Sequence, residues 1–169
     1  MNRILASLAA TAALASLLAG CTTTLRSEYP EPTSGPTARL TVVNRAGDPT
    51  GLYLYEDHRE CTGRRRVVLG PASAGKNYVN VPAASPLSFT MSSARRVSGG
   101  SSTFVCEITG TFTPQPNQTY VAEMLMPSIV NFGAKCGVQL RTQTGRVVAT
   151  KSRRAKLGWT DASSFCTPD

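Results

Sequence analysis

An all-β domain is what this sequence predicts, and three observations carry the prediction. From Arg39 onward the apolar residues fall in short runs rich in Val, Thr, Tyr and Phe. Gly, Pro, Asn and Ser punctuate these runs at short intervals. No i, i+3, i+4, i+7 apolar stripe is sustained, so the period of an amphipathic helix is missing. About eight short strands so spaced predict an antiparallel β-sandwich or a partly closed barrel.

The elements follow in order. RLTVVN (39–44) ends at the turn RAGDP, and GLYLYE (51–56) sets Leu52 and Leu54 against Tyr53 and Tyr55. RVVL (66–69) is expected to pair with NYVNV (77–81), and PLSFTMS (86–92) runs towards the turn SGGSS. STFVCEITGTFTP (102–114) reads as one bent strand or two, broken near Gly110. TYVAEMLM (119–126) follows the turn-like PQPNQ. GVQLRT and GRVVAT flank Gln143-Thr144 and predict a hairpin with Gly145 at its turn. Helical turns are expected at PSIVNFG (127–133) and KSRRAK (151–156).

The first residues belong to a different class. Asn2-Arg3 is followed by ILASLAATAALASLLAG, an uncharged run diluted by Ala, Ser and Thr. It is shorter than the roughly 20 strongly apolar residues of a membrane-spanning helix. A positive start, a short apolar run and small residues before a break describe a secretory signal peptide. Its end, Leu18-Ala19-Gly20-Cys21, resembles the lipobox of bacterial lipoproteins. The resemblance implies diacylglyceryl transfer to the Cys21 sulfur, cleavage before it, and acylation of the freed amine. One acyl chain binds a membrane reversibly, whereas several on one residue make a durable anchor. Residues 1–20 are therefore expected to be removed. Residues 21–37, TTTLRSEYPEPTSGPT after Cys21, form a flexible tether, and 38–169 form the β-sandwich domain with a basic C-terminal tail. Thr22, where an Asp is associated with inner-membrane retention, points to the outer membrane, facing the periplasm.

Two steps inside the domain, Val81-Pro82-Ala83 and Phe112-Thr113-Pro114 followed by Tyr120, are similar to those of small β-rich envelope lipoproteins of proteobacteria. These families have no assigned catalytic residues, so the resemblance implies none here. Physically, the second step is a strand end, a Pro-bounded turn and a return strand. It would bury the Tyr120 ring while its hydroxyl finds a polar partner.

Beyond Cys21 the chain holds Cys61, Cys106, Cys136 and Cys166. An even count in an exported chain predicts two disulfides. Three pairings are open; Cys61–Cys106 with Cys136–Cys166 is the expectation, the second bond tying the polar tail to the body. The cysteines lie far apart with no C-x-x-C pair, against the close ligand pairs of zinc modules. No metal or cofactor is expected.

Without Arg3 the chain carries 17 Lys and Arg against 10 acids, a formal charge of +7. No acid occurs between Glu123 and Asp161, a stretch that holds Lys135, Arg141, Arg146, Lys151, Arg153, Arg154 and Lys156. Arg64-Arg65-Arg66 and Arg95-Arg96 add two clusters. A field of one sign draws anions, and the planar guanidinium suits phosphate and carboxylate. The candidate anion-binding residues are Arg64, Arg65, Arg66, Arg95, Arg96, Arg141, Arg146, Arg153 and Arg154. The expected partners are the membrane, through the lipid anchor, and lipopolysaccharide, peptidoglycan or a protein. Nucleic acid is not expected, because its basic-and-aromatic signatures are absent.

Catalytic motifs are scarce. YEDHREC (55–61) gathers Glu56, Asp57, His58 and Glu60, and Glu56, His58 and Glu60 would share a face only if the strand continued through them. His58 is the single histidine, and no G-x-S-x-G elbow is present. GPASAGKN (70–77) misses a phosphate-binding loop, since Asn77 stands in the Ser/Thr position and no helical pattern follows. NQT (117–119) reads as an exposed turn. The leading expectation is thus a non-enzymatic, membrane-anchored envelope protein that binds anionic components, with no catalytic residue. The alternatives are an inhibitor or assembly factor docking through SARRVSGGSS (93–102), and an enzyme or metal protein centred on His58.

Overall fold

A computed structural model describes residues 28–43, 50–69, 77–96, 103–126 and 135–168. Among the described residues there are nine strands and no helix. They are β1 (Thr37–Val43), β2 (Thr50–Asp57), β3 (Thr62–Val67), β4 (Tyr78–Pro82) and β5 (Leu87–Arg96). β6 (Thr103–Phe112), β7 (Thr119–Leu125), β8 (Gly137–Thr142) and β9 (Lys151–Arg153) complete the set. One sheet has the order β4-β1-β7-β8 and the other β3-β2-β5-β6-β9. The two sheets share one core as a sandwich and do not close into a barrel.

The pairing departs from the sequence reading in four places. Every pair is antiparallel except β1–β7, which runs parallel from Arg39↔Thr119 to Val43↔Glu123. The 66–69 run does not pair with 77–81; β3 begins earlier, at Thr62, and turns back on β2, while β4 crosses to β1 in the other sheet. KSRRAK is not helical: Lys151–Arg153 is the edge strand β9, in register with Thr109–Thr111 of β6. Gly110 does not break β6. It makes room, since a Cβ there would meet Thr150 Cγ2 at 2.6 Å and the Phe89 ring at 3.5 Å.

The hairpin after β8 forms as expected, with Gly145 at φ +87° donating its N–H to the Thr142 carbonyl. Its return arm is held by an isolated bridge, Arg141↔Val147, and not by a strand. The helical turn expected at 127–133, the residues 70–76, 97–102 and the segment 1–27, which includes Cys21, lie outside the described residues.

The interior follows from alternation. Leu52 and Leu54 of β2, Phe89 and Met91 of β5 and Cys106 of β6 face Leu40 of β1, Val79 and Val81 of β4, Tyr120 and Met124 of β7 and Leu140 of β8. Phe112 stacks edge-on against both Phe89 and Tyr120, at 5.9 and 5.1 Å between centroids. Tyr120 is buried as expected, and its hydroxyl accepts the Gln115 N–H at 2.9 Å. Val81 is fully buried in the core and Ala83 nearly so, and the Ala83 and Ala84 amides donate to the Pro36 and Pro114 carbonyls.

Residues 28–36 are more than tether. Glu28 bridges Arg66 in parallel, Tyr29 N–H donates to the Arg66 carbonyl at 2.8 Å, and Asn80 Nδ2 donates to Glu31 at 2.7 Å. The segment therefore lies on the exposed edge of β3, and β1 begins at Thr37, one residue inside the expected tether.

Both disulfides form, with partners other than those expected. They are Cys61–Cys166 and Cys106–Cys136, with Cα separations of 5.4 and 6.0 Å. The reason is the face each cysteine occupies. Cys106 points from β6 into the space between the sheets, beside Met124, where Cys136 arrives just before β8. Cys61 sits in the β2–β3 turn within a separate cluster of Tyr55, Phe165 and Cys166, outside the main core. The sheet separates the two sites, so Cys61 and Cys106 cannot meet.

Candidate functional site

The outer face of the five-stranded sheet carries alternating Tyr, Ser and Thr side chains that would ordinarily face water. Here the 58–61 turn and residues 154–168 cover them. Tyr55 Oη and Thr90 Oγ1 are 2.7 Å apart, Thr90 and Thr109 hydroxyls 2.6 Å, and Ser88 and Thr111 hydroxyls 2.6 Å. Ser88 donates to the His58 carbonyl at 2.8 Å. Burial raises the Tyr55 phenol above its usual range, opposed by its hydrogen bond to Thr90 and the nearby Arg64 charge.

Arg153 locks this layer. It is only 6 % exposed, and its guanidinium donates to the carbonyls of His58, Arg59 and Thr167. Its charge is used internally, which removes it from the anion-binding candidates. Arg64 is held between the Tyr53 and Phe165 rings, 3.9 and 4.6 Å from their centroids, with Glu107 at 3.7 Å. Its buried Nε has no hydrogen-bond partner. This residue clamps the C-terminal segment to the sheet.

The remaining cations do not share one surface. Arg65 turns to the opposite face of β3 and pairs with Glu56 at 2.6 Å. Arg141 lies on the outer face of the other sheet, donating to Gln139 and to the Gly145 carbonyl. Arg95 and Arg96 end β5, the described start of the 93–102 loop. Arg66, Arg96, Arg146 and Arg154 are exposed. The basic stretch of the sequence is thus distributed over both sheets and both ends.

His58 offers no constellation. β2 ends at Asp57, so Glu56, His58 and Glu60 are not on one strand face, and residues 58–60 form the turn. Among the described residues no three His, Cys, Asp or Glu side chains are grouped to hold a metal ion. A cleft of about 370 Å³ opens beside the N-terminal segment, lined by Tyr29, Pro30, Pro32, Pro86, Glu56 and Arg65 among others. Burial, with Glu31 nearby, pushes the Tyr29 phenol up to about 12. The only charges among these six are the Glu56–Arg65 pair, which neutralise each other.

The feature that sequence reasoning passes over is Leu157-Gly158-Trp159. Leu157 and Trp159 are each 95 % exposed, the most exposed large apolar side chains among the described residues. The loop bearing them is built, not frayed. Ala155 bridges Cys166, Lys156 N–H donates to the Phe165 carbonyl at 2.8 Å, and the Trp159 and Thr160 amides both reach Ser163 Oγ. Gly158 rests on the Phe165 ring, where a Cβ would come within 2.6 Å, so its two neighbours are turned outwards. A single tryptophan in a basic tail gives no sequence sign of whether it is buried or presented. Comparison of the chain with protein-family models, curated proteins and solved structures finds no match.

Proposed function

We propose that the chain is a lipid-anchored protein of the bacterial envelope that acts by binding rather than catalysis, with its domain held close to a membrane and basic groups turned towards anionic components. One observation carries the reading. Cys61, Cys106, Cys136 and Cys166 are consumed by two disulfides inside the domain, so the fifth cysteine, Cys21 of the lipobox-like LAGC, has no partner left among them. Paired cysteines suit an oxidising compartment beyond the cytoplasm, and the odd cysteine stands where acylation would place it.

Mass spectrometry of the chain isolated from envelopes tests this. The expected product begins at Cys21 and carries acyl chains on its sulfur and amine. It stays with membranes through a high-salt wash and leaves with detergent, and Cys21→Ala abolishes the modification. An unmodified chain that still begins at Met1 would overturn the reading.

A further inference from the structure

We propose that the loop 154–160 is a membrane-contact device, with Trp159 and Leu157 entering the interface of an anionic phospholipid bilayer while Arg154 and Lys156 meet its headgroups. The inference deepens the anchored-protein reading and rests on it for one of its arguments.

The chemistry of the loop comes first. Exposed apolar side chains as large as these are costly in water, and both stand almost fully clear of the described residues. Tryptophan suits the zone where one end is apolar and the other wet. Arg154 and Lys156 are exposed and alternate with the apolar residues. Each such cation near an anionic leaflet adds roughly 1 kcal/mol of attraction. The Cys61–Cys166 bond, the Ala155↔Cys166 bridge and the Arg64–Phe165 stack hold the base of the loop, so little order is lost when its tip inserts.

Position supplies a second, independent argument. Arg64 N–H donates to the Asp161 carbonyl at 2.9 Å, while the Arg66 carbonyl accepts Tyr29 N–H. The base of the loop and the incoming N-terminal segment therefore grip the same edge of β3, two residues apart. From Cys21 to Glu28 the chain spans at most about 25 Å, whatever its conformation. An acylated Cys21 thus keeps that edge of β3, and the loop beside it, within about 25 Å of the bilayer. A tether this short keeps the local lipid concentration high, and a loop of modest intrinsic affinity then suffices.

The experiment uses residues 21–169 with Cys21→Ser, which retain every described strand and both disulfides and cannot be acylated at position 21. Trp159 is the only tryptophan and reports on itself. On vesicles of phosphatidylcholine with phosphatidylglycerol, its emission is expected to shift to the blue and to be quenched by bromine-labelled acyl chains. Sedimentation should show binding reduced at least about tenfold by Leu157→Ser with Trp159→Ser. It should fall about fivefold for each charge removed by Arg154→Gln and Lys156→Gln, and on phosphatidylcholine alone it should be weak. Unaltered folding of the variants is checked by their disulfide masses and thermal midpoints.

An unshifted Trp159 emission, equal binding by the loop variant, or equal binding to neutral and anionic vesicles overturns the proposal. So does binding that appears only when lipopolysaccharide or a protein partner is added. The two readings fail separately. Absent vesicle binding with acylated Cys21 in cells removes the loop function alone. Unmodified Cys21 with intact vesicle binding removes the anchor and leaves the loop.

Discussion

The space between the sheets and the layer outside the five-stranded sheet are both buried, and they are held by different forces. Between the sheets Leu40, Leu54, Phe89, Met91 and Leu140 meet, and burial of apolar surface does most of the holding. Outside, Ser88, Thr90, Thr109 and Arg153 are equally dry but are joined by directional bonds to one another and to backbone carbonyls. Such a network stabilises only while every member is paired, because a polar atom left dry and alone costs more than its bond returned. The apolar interior can relax around a defect; the polar layer cannot.

Removing each disulfide separates the two regions most clearly. Cys61 and Cys166 are 105 residues apart and Cys106 and Cys136 are 30 apart. In chain-entropy terms the longer closure is worth about 4–5 kcal/mol and the shorter about 3–4 kcal/mol. Cys61→Ala with Cys166→Ala should release the C-terminal segment first, seen as faster amide exchange over residues 154–167 while the β2–β5 amides stay protected. Cys106→Ala with Cys136→Ala, whose bond joins the sheets, should instead lower the whole urea transition. Equal acceleration of exchange everywhere in the first variant would erase the distinction between the regions.

Substitutions sharpen it. Phe89→Ala leaves a hole between the sheets and should cost about 3–5 kcal/mol in urea unfolding. Thr90→Val keeps the shape of the side chain but strips the hydroxyl shared with Tyr55 and Thr109, and should cost about 1–3 kcal/mol. Adding Tyr55→Phe to Thr90→Val should cost less than the sum of the two changes, since it removes the partner left stranded. Strict additivity in that cycle would mean the hydroxyls are not coupled.

The smallest effect is in pH. The Tyr29 phenol is raised from 10.0 to about 12, and that of Tyr55 is raised as well, so both bind their protons more tightly folded than unfolded. Their contribution is fully present below pH 10 and is lost as the pH climbs through the folded values. Urea midpoints should fall across that window, and Tyr29→Phe should flatten the slope. A midpoint that holds steady there would mean that neither phenol is buried in solution.

The contrast explains what was legible in the sequence. Alternation and β-branching gave the strands of the interior, because apolar burial leaves a period of two in the text. Tyr53 and Tyr55 alternate with Leu52 and Leu54, but nothing marks that both faces are covered. The covering depends on Arg153, which donates to three backbone carbonyls, groups without sequence identity. In KSRRAK its charge looked like surface. The cysteine pairing failed for the same reason: neighbours in sequence were joined, although opposite faces of one sheet keep them apart. Of the candidate surface, the cations were visible as residues but not their dispersal, and Leu157 and Trp159 were invisible because exposure is decided by Phe165 beneath Gly158.

The nested order of the two cross-links has a consequence for biogenesis. A polypeptide threaded across a membrane from its amino end presents Cys61, then Cys106, long before Cys166 emerges. An oxidant that joins thiols in order of arrival would form Cys61–Cys106, which the finished sandwich forbids. On the export route proposed above, maturation would then require either that Cys61 wait as a thiol or that exchange through a mixed disulfide rewire the first product, and cells lacking a disulfide isomerase should accumulate the miswired form.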